Sequence, residues 1–110
     1  MKCLFIQVRF YLKPGCRNDF YQRFRDNNIR EMSLSEEGNI DYEIYLPQDS
    51  ANDICIMEKW ESIQAQEKHM QTLHYAILAE LKSKYVRKVE FKKYWLTDFD
   101  SAEVEDISLR

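Results

Sequence analysis

The chain has 110 residues, of which 45% are hydrophobic, with three cysteines and a formal net charge of −3. A chain of this length forms one domain that buries roughly 65% of its unfolded surface, and a pI of 5.4 disfavours nucleic-acid binding. No apolar run approaches the roughly 20 residues of a membrane span, and the apolar start is too short for a signal peptide. Three cysteines without C-x-x-C spacing favour a reduced, cytoplasmic protein.

The first half of the chain predicts a strand followed by a helix. Residues 3–12 alternate with a period of two, and Lys13-Pro14-Gly15 ends that strand. A helix follows whose apolar stripe contains Phe20, Phe24, Asn28 and Met32. Asn28 stands where an apolar side chain is expected, so it is either a buried, hydrogen-bonded amide or a group that fixes a substrate carbonyl.

The second half predicts three strands and a broken helix. A turn at Glu37-Gly38-Asn39 precedes strands at 40–46 and 54–60. Helical spacing then covers 63–70 and resumes at His74 after a break near Thr72, and a last strand covers 87–96.

The resulting order, β-α-β-β-α-β, predicts an α+β fold of the ferredoxin-like split βαβ type, with one antiparallel sheet and both helices on one face. Residues 97–110 contain five acidic residues against one arginine. We therefore divide the chain into a domain at 1–96 and an acidic C-terminal tail at 97–110.

The sheet face opposite the helices is too apolar for a monomer. Alternation places aromatic, sulfur-containing and aliphatic side chains there: Phe5, Tyr11, Tyr45, Cys55, Met57, Tyr94 and Leu96. A contiguous apolar surface of this size marks an interaction site. We expect a homodimer in which two sheets pack face to face.

The two histidines supply the groups whose ordinary pKa lies nearest to neutral pH. His74 begins a helix on its apolar face, so it is either a structural histidine or a neutral imidazole that accepts a substrate proton. His69 lies beside the break, as an exposed side chain or at a pocket rim. Trp60 is a core residue or a stacking platform, and Tyr75 closes the core edge or hydrogen-bonds a phenol.

Several cofactor sites are not expected. With two glycines the chain contains neither G-x-G-x-x-G nor a P-loop. His69 and His74 are five residues apart, which turns them about 140° from each other on a continuous helix, so we predict no metal site. The RNP1 signature of RNA-binding split βαβ domains is absent.

An ordered set of short segments covers about residues 3–96 and resembles the antibiotic biosynthesis monooxygenase family. The segments that carry the resemblance are Lys13-Pro14-Gly15 with Phe20, Glu36-Glu37-Gly38-Asn39, Tyr42-Glu43-Ile44-Tyr45, Glu58-Lys59-Trp60-Glu61-Ser62, His69 and His74-Tyr75. The resemblance implies a dimeric α/β barrel. Some members of that family oxygenate polyaromatic quinols without flavin, haem or metal.

The resemblance therefore implies a cofactor-independent monooxygenase that uses molecular oxygen on a small quinol, phenol or enol. His69 or His74 would be the catalytic base, and Asn28, Trp60 and Tyr75 would bind the substrate. The E-E-G-N and H-x-x-x-x-H-Y segments also resemble the isomerase that processes phosphorylated autoinducer-2. A non-catalytic dimer that binds a small ligand or serves a stress response is the third alternative.

Haem degradation, found in another branch of the family, is not expected. That branch uses an Asn, Trp and His set, and Val8, His69 and Ala79 stand at those places here.

Overall fold

In the computed structural model, residues 2–97 form four strands and four helices. The predicted α+β ferredoxin-like fold is confirmed, and each of its two helical segments consists of two helices. Residues 98–110, which include most of the predicted acidic tail, lie outside the described residues. The elements are β1 (Lys2–Leu12), α1 (Arg17–Asp26), α2 (Ile29–Leu34), β2 (Asn39–Tyr45), β3 (Asp53–Trp60), α3 (Ile63–His69), α4 (Leu73–Tyr85) and β4 (Val86–Thr97).

The four strands form one antiparallel sheet in the order β2-β3-β1-β4. Alternate residues of β1, namely Leu4, Ile6, Phe10 and Leu12, are at most 2% exposed and point toward the helices. Complete burial of such a side chain contributes roughly 1.5–3 kcal/mol. The helices complete the core with aromatic rings, since Phe20 packs edge-on against Phe10 and Tyr85 at 5.8 and 6.2 Å between ring centroids.

The first helical segment breaks at Asn28, so the predicted stripe through Met32 is wrong beyond that point. Asn28 has a φ of 52°, in the left-handed region that asparagine tolerates better than most residues. The break turns α2 relative to α1, so Ile29 and Ser33 are buried while Met32 is 48% exposed. Asn28 is exposed rather than on the buried stripe.

The predicted break near Thr72 is confirmed and has a clear cause. Ser62 caps α3, because its Oγ accepts from the backbone N–H of Ala65 at 3.1 Å, and Thr72 caps α4 in the same way through Tyr75 at 3.2 Å. The Thr72 hydroxyl also donates to the carbonyl of His69 at 2.7 Å. One residue therefore joins the end of α3 to the start of α4.

The sheet is uncovered in two places. Opposite the helices, Tyr45 and Tyr94 are 49% and 47% exposed, as expected for the predicted dimer face. On the helix side, Val89, Phe91 and Trp95 of β4 are also about half exposed. Alternation alone did not predict this second patch, because it assigns β4 a face but does not show how far the helices reach across the sheet.

No helix within residues 2–97 is long and apolar enough to cross a membrane.

We predict that the two glycines differ in their tolerance of a side chain. Both have positive φ, 77° at Gly15 and 86° at Gly38, so alanine strains the backbone at either position. A Cβ at Gly38 would also lie 2.6 Å from the Cβ of Ala65, whereas Gly15 has nothing within 4 Å. In urea denaturation, Gly38→Ala should therefore cost roughly 1–3 kcal/mol more than Gly15→Ala. Equal losses would contradict this packing.

Candidate acid–base site

Two imidazoles converge on one carboxylate oxygen. His69 Nδ1 lies 2.6 Å and His74 Nε2 lies 2.8 Å from the same Oε2 of Glu36. Both histidine side chains are at least nine-tenths buried, and that of Glu36 is 14% exposed. Thr72 Oγ1 lies 3.2 Å from His74 Nε2. Residues from three separate segments thus form one polar cluster inside the helix layer.

Glu36 is held in place by the turn between α2 and β2. Gly38 packs directly over Ala65 of α3, and its carbonyl accepts from the N–H of Glu61 at 2.8 Å. Asn39 closes the turn by donating its N–H to the carbonyl of Glu36 at 3.1 Å. The turn is therefore fixed against the end of β3 and the start of α3, which brings the carboxylate to both rings.

A second carboxylate lies on the other side of His69. Glu58 Oε1 is 3.8 Å from His69 Nε2 and accepts from the indole N–H of Trp60 at 3.0 Å. The rings of Trp60 and His69 are 4.7 Å apart between centroids. Burial raises the pKa of Glu58, and Glu36 adds to this, while His69 and the Trp60 hydrogen bond act in the opposite direction.

An apolar cavity of about 150 Å³ adjoins His69 and Glu58. Its floor is the helix-facing side of the sheet, and its outer wall includes the half-exposed part of β4. Apolar lining residues are Ile6, Val8, Phe10, Ile56, Met70, Leu78, Val89 and Phe91. Polar ones are Glu58, Gln66, His69, Tyr75, Lys82 and Lys93. An apolar space with a few convergent polar groups is typical of small-ligand sites.

The structure brings together most of the predicted site residues. His69 and Tyr75 line the cavity, Trp60 supports Glu58 behind it, and His74 reaches the cluster from the far side of Glu36. Asn28 lies elsewhere, exposed at the junction of α1 and α2 and not among the lining residues. Its predicted contact with a substrate has no support in this arrangement.

Sequence reasoning missed three charged residues of the site: Glu36, Glu58 and Lys82. Glu58 alternates with Ile56 and Trp60 on the helix-facing side of β3, so a buried carboxylate was indicated by the pattern. Lys82 follows Tyr75 by seven residues, which places both on one face of α4. The position of Glu36 had no such signal, because it depends on contacts between distant segments.

The two histidines do not lie on one continuous helix, so the reason for predicting no metal pair does not hold. Within the described residues, His69 ends one helix and His74 lies in the first turn of the next, so the 140° separation expected of a continuous helix does not apply. The nearest ligand atoms of Glu36, His69 and His74 lie within 4.8 Å of one another. The cluster is thus suited either to proton transfer or to metal binding.

For proton transfer, the arrangement fixes which nitrogen of His69 is used. A hydrogen on Nδ1 donates to Glu36, and this leaves the lone pair of Nε2 on the side of Glu58 and the cavity. A histidine oriented by a carboxylate in this way can take a proton from a bound substrate. Lys82 can then face the negative charge that forms.

Comparison with known proteins identifies the fold and one family. The family model described as antibiotic biosynthesis monooxygenase matches residues 4–80. Among curated protein sequences, none matches this chain.

The solved structures that resemble the chain include a protein from Pseudomonas aeruginosa, with 16% identity and a TM-score of 0.80 over 89% of this chain and 97% of that one. A conserved protein from Methanosarcina mazei has 22% identity and a TM-score of 0.76, over 86% and 92%. A protein from Nitrosomonas europaea, described as a candidate antibiotic biosynthesis monooxygenase, has 18% identity and a TM-score of 0.75. The match covers 88% of this chain and 90% of that one. At these identities the likeness shows the fold alone.

We predict that Glu58→Gln stabilises the protein at neutral pH. The amide keeps an acceptor for Trp60 and removes a buried charge. The pKa of Glu58 is raised in the folded state, so the ionised carboxylate destabilises the fold. This cost is fully present at a pH above the raised pKa and is absent at a pH below the ordinary pKa. Thermal melting should therefore show a higher Tm for the variant at pH 7, and the gain should shrink as the pH falls toward 4.5, the ordinary pKa of a glutamate, and be absent below it.

Glu61, an exposed residue close to Glu58 in the sequence, provides the control. Glu61→Gln should leave Tm nearly unchanged both at pH 7 and at the lower pH. A lower Tm for Glu58→Gln at pH 7 would contradict the assigned cost of burying this charge.

Proposed function

The chain belongs to the antibiotic biosynthesis monooxygenase family, and we propose that it is a cofactor-independent monooxygenase of a small phenol, quinol or enol. The observation that carries the proposal is the position of His69, held by Glu36 on one side and adjoining an apolar cavity with Glu58 on the other. Such a site can remove a hydroxyl proton and retain the electron-rich anion away from water.

His69 is the proposed base. Its Nε2 accepts the substrate hydroxyl proton, and the resulting imidazolium lies between the carboxylates of Glu36 and Glu58. The substrate anion is stabilised by Lys82, whose ammonium group lies over the rings of Phe10 and Tyr75 at 6.0 and 5.6 Å. His74 acts through Glu36 as a positioning residue, since it does not line the cavity.

The oxidation balances with oxygen as the only co-substrate. The phenolate donates electrons to O₂, and a C–O bond forms at a ring carbon that bears hydrogen. That carbon then loses its proton as the O–O bond breaks. One oxygen atom stays as the second carbonyl of a quinone, and the other leaves as water. The phenol supplies all four electrons, so the protein needs to provide only proton transfer, orientation and charge stabilisation.

Cavity size narrows the substrate class. A cavity of about 150 Å³ matches the volume of a protein cavity that binds benzene, so it accommodates one such ring. We therefore propose a single-ring phenol or quinol, or an enol of similar size, rather than a polycyclic substrate. Trp60 contributes by holding Glu58, and Tyr75 by lining the cavity beside His69.

Isomerisation of a small hydroxycarbonyl compound is the second candidate. The observation that favours it is the pairing of Glu58 with His69, 3.8 Å apart at one cavity. An isomerase of this kind moves a proton from carbon to oxygen, and two adjacent acid–base groups can share that work. Oxygen consumption separates the two reactions, because the isomerase consumes none.

We also propose that the protein is a cytoplasmic homodimer. Its three cysteines are free thiols within the described residues. The sheet face opposite the helices contains a hollow of about 380 Å³ lined by Tyr45, Cys55 and Met57 together with polar residues. A second copy packed there would remove this apolar surface from water.

The activity prediction concerns His69. With a panel of single-ring phenols and quinols in chelated buffer, the wild type should consume oxygen, and His69→Gln should lose on the order of 10²-fold or more in kcat/KM. His74→Gln should lose less, because it removes only a partner of Glu36. The measurement is oxygen-electrode kinetics, with circular dichroism to establish that the variants fold.

Lys68→Gln, an exposed change on the same helix, should retain wild-type rates. Equal activity in wild type and His69→Gln would show that His69 is not the base. Product formation without oxygen uptake would favour the isomerase. A ligand that binds without turnover would favour the non-catalytic alternative.

The dimer prediction concerns the opposite sheet face. Tyr45→Glu or Met57→Glu would place a charge in the interface at a cost of several kcal/mol, so both should dissociate at micromolar concentration. Gln64→Glu is the control, because it adds the same charge at an exposed position of α3. It should leave the dimer intact. Analytical ultracentrifugation measures the outcome, and a wild type that is monomeric at the same concentration would exclude the dimer.

A further inference from the structure

We propose that Glu36, His69 and His74 bind a divalent transition-metal ion of the zinc type. The ligand atoms are Glu36 Oε2, His69 Nδ1 and His74 Nε2, which lie within 4.8 Å of one another. This site goes beyond the proposed function, because it lies on the side of His69 opposite Glu58. Its ligands are chosen by the distances between their donor atoms and not by the proposed reaction.

The chemistry of the donor set selects the metal. Imidazole nitrogens suit Zn²⁺, Cu²⁺, Ni²⁺ and Fe²⁺, whereas Mg²⁺ and Ca²⁺ prefer sites made of oxygen atoms. Two histidines with one carboxylate leave at least one coordination position for water or another ligand. Zn²⁺ would take the place of the hydrogens that now lie between each ring and Glu36.

The fold holds the three ligands close to one another. Glu36 is fixed by its turn, while His69 and His74 lie on either side of the Thr72 cap. Donor atoms bound tetrahedrally to zinc at about 2.0 Å lie roughly 3.3 Å apart. The two separations from Oε2, 2.6 and 2.8 Å, must therefore widen by roughly half an ångström, and the two ring nitrogens, which lie within 4.8 Å of each other, must approach. Small side-chain rotations supply that change.

An independent observation supports a metal at His69. Histidine ligands usually donate their second ring N–H to a carboxylate, which fixes the ring and strengthens its bond to the metal. Glu58 Oε1 lies 3.8 Å from His69 Nε2, and the indole of Trp60 holds that carboxylate from behind. This distance is too long for a hydrogen bond, so Glu58 would need to approach Nε2 to orient His69 for metal binding through Nδ1.

Metal binding would also block the proposed base. A neutral imidazole bound to zinc through Nδ1 has its hydrogen on Nε2, the nitrogen that must otherwise accept the substrate proton. This consequence rests on the proposed function, whereas the metal site does not. Zinc should therefore inhibit turnover in proportion to occupancy of the site.

The binding experiment uses full-length protein without a histidine tag, stripped of metal with a chelator. Titration of Zn²⁺ against a chromophoric zinc indicator should give one ion per chain, and Mg²⁺ should not compete. Glu36→Gln and His74→Gln should each weaken affinity by more than about 100-fold, the upper range for loss of a residue that only orients a ligand. The adjacent exposed change Glu37→Gln should leave affinity unaltered. Equal affinity in Glu36→Gln and wild type would overturn the site.

A second measurement does not depend on the folding of variants. Crystals of the wild type grown with Zn²⁺ should give an anomalous peak about 2.0 Å from all three ligand atoms. A peak elsewhere on the molecule, or none at saturating zinc, would overturn the assignment. Binding without loss of turnover would leave the metal site intact and count against His69 as the base.

Discussion

One oxygen atom of Glu36 holds the candidate site of this molecule together. It lies within hydrogen-bond distance of two buried imidazoles that belong to different helices. Removing one partner from a buried ionic group leaves the other uncompensated, which is far more costly than replacing both. The α2–β2 turn, the tight contact of Gly38 with Ala65 and the Thr72 cap all serve to place that oxygen and those rings together.

The fold followed from local patterns because strands and caps are local features. Alternation in residues 3–12 and the break near Thr72 were predicted from the sequence, and the β-α-β-β-α-β order was confirmed. The predicted position of Asn28 on a buried stripe was not confirmed. The helical spacing of apolar residues in the sequence does not show that the backbone of Asn28 is left-handed. A helical pattern predicts spacing, but a break in the backbone resets the direction in which later side chains point.

The site was only partly predictable, for a related reason. His69, His74, Trp60 and Tyr75 could be selected by residue type and mutual proximity in sequence. Glu36 lies 33 residues before His69, and only the tertiary structure shows that they meet. Local reasoning also separated the two histidines on a continuous helix, whereas the break brings both to one carboxylate.

The proposed chemistry requires that Glu36 hold His69 with hydrogen on Nδ1 and a free lone pair on Nε2. Long-range ¹H–¹⁵N NMR of the metal-free protein tests this directly, because the chain has two histidines and hence few imidazole signals. At a pH where the rings are neutral, we expect the hydrogen of His69 on Nδ1, and we expect the spectra of both histidines to change in Glu36→Gln. Hydrogen on Nε2 of His69, or spectra insensitive to the loss of the Glu36 charge, would contradict it.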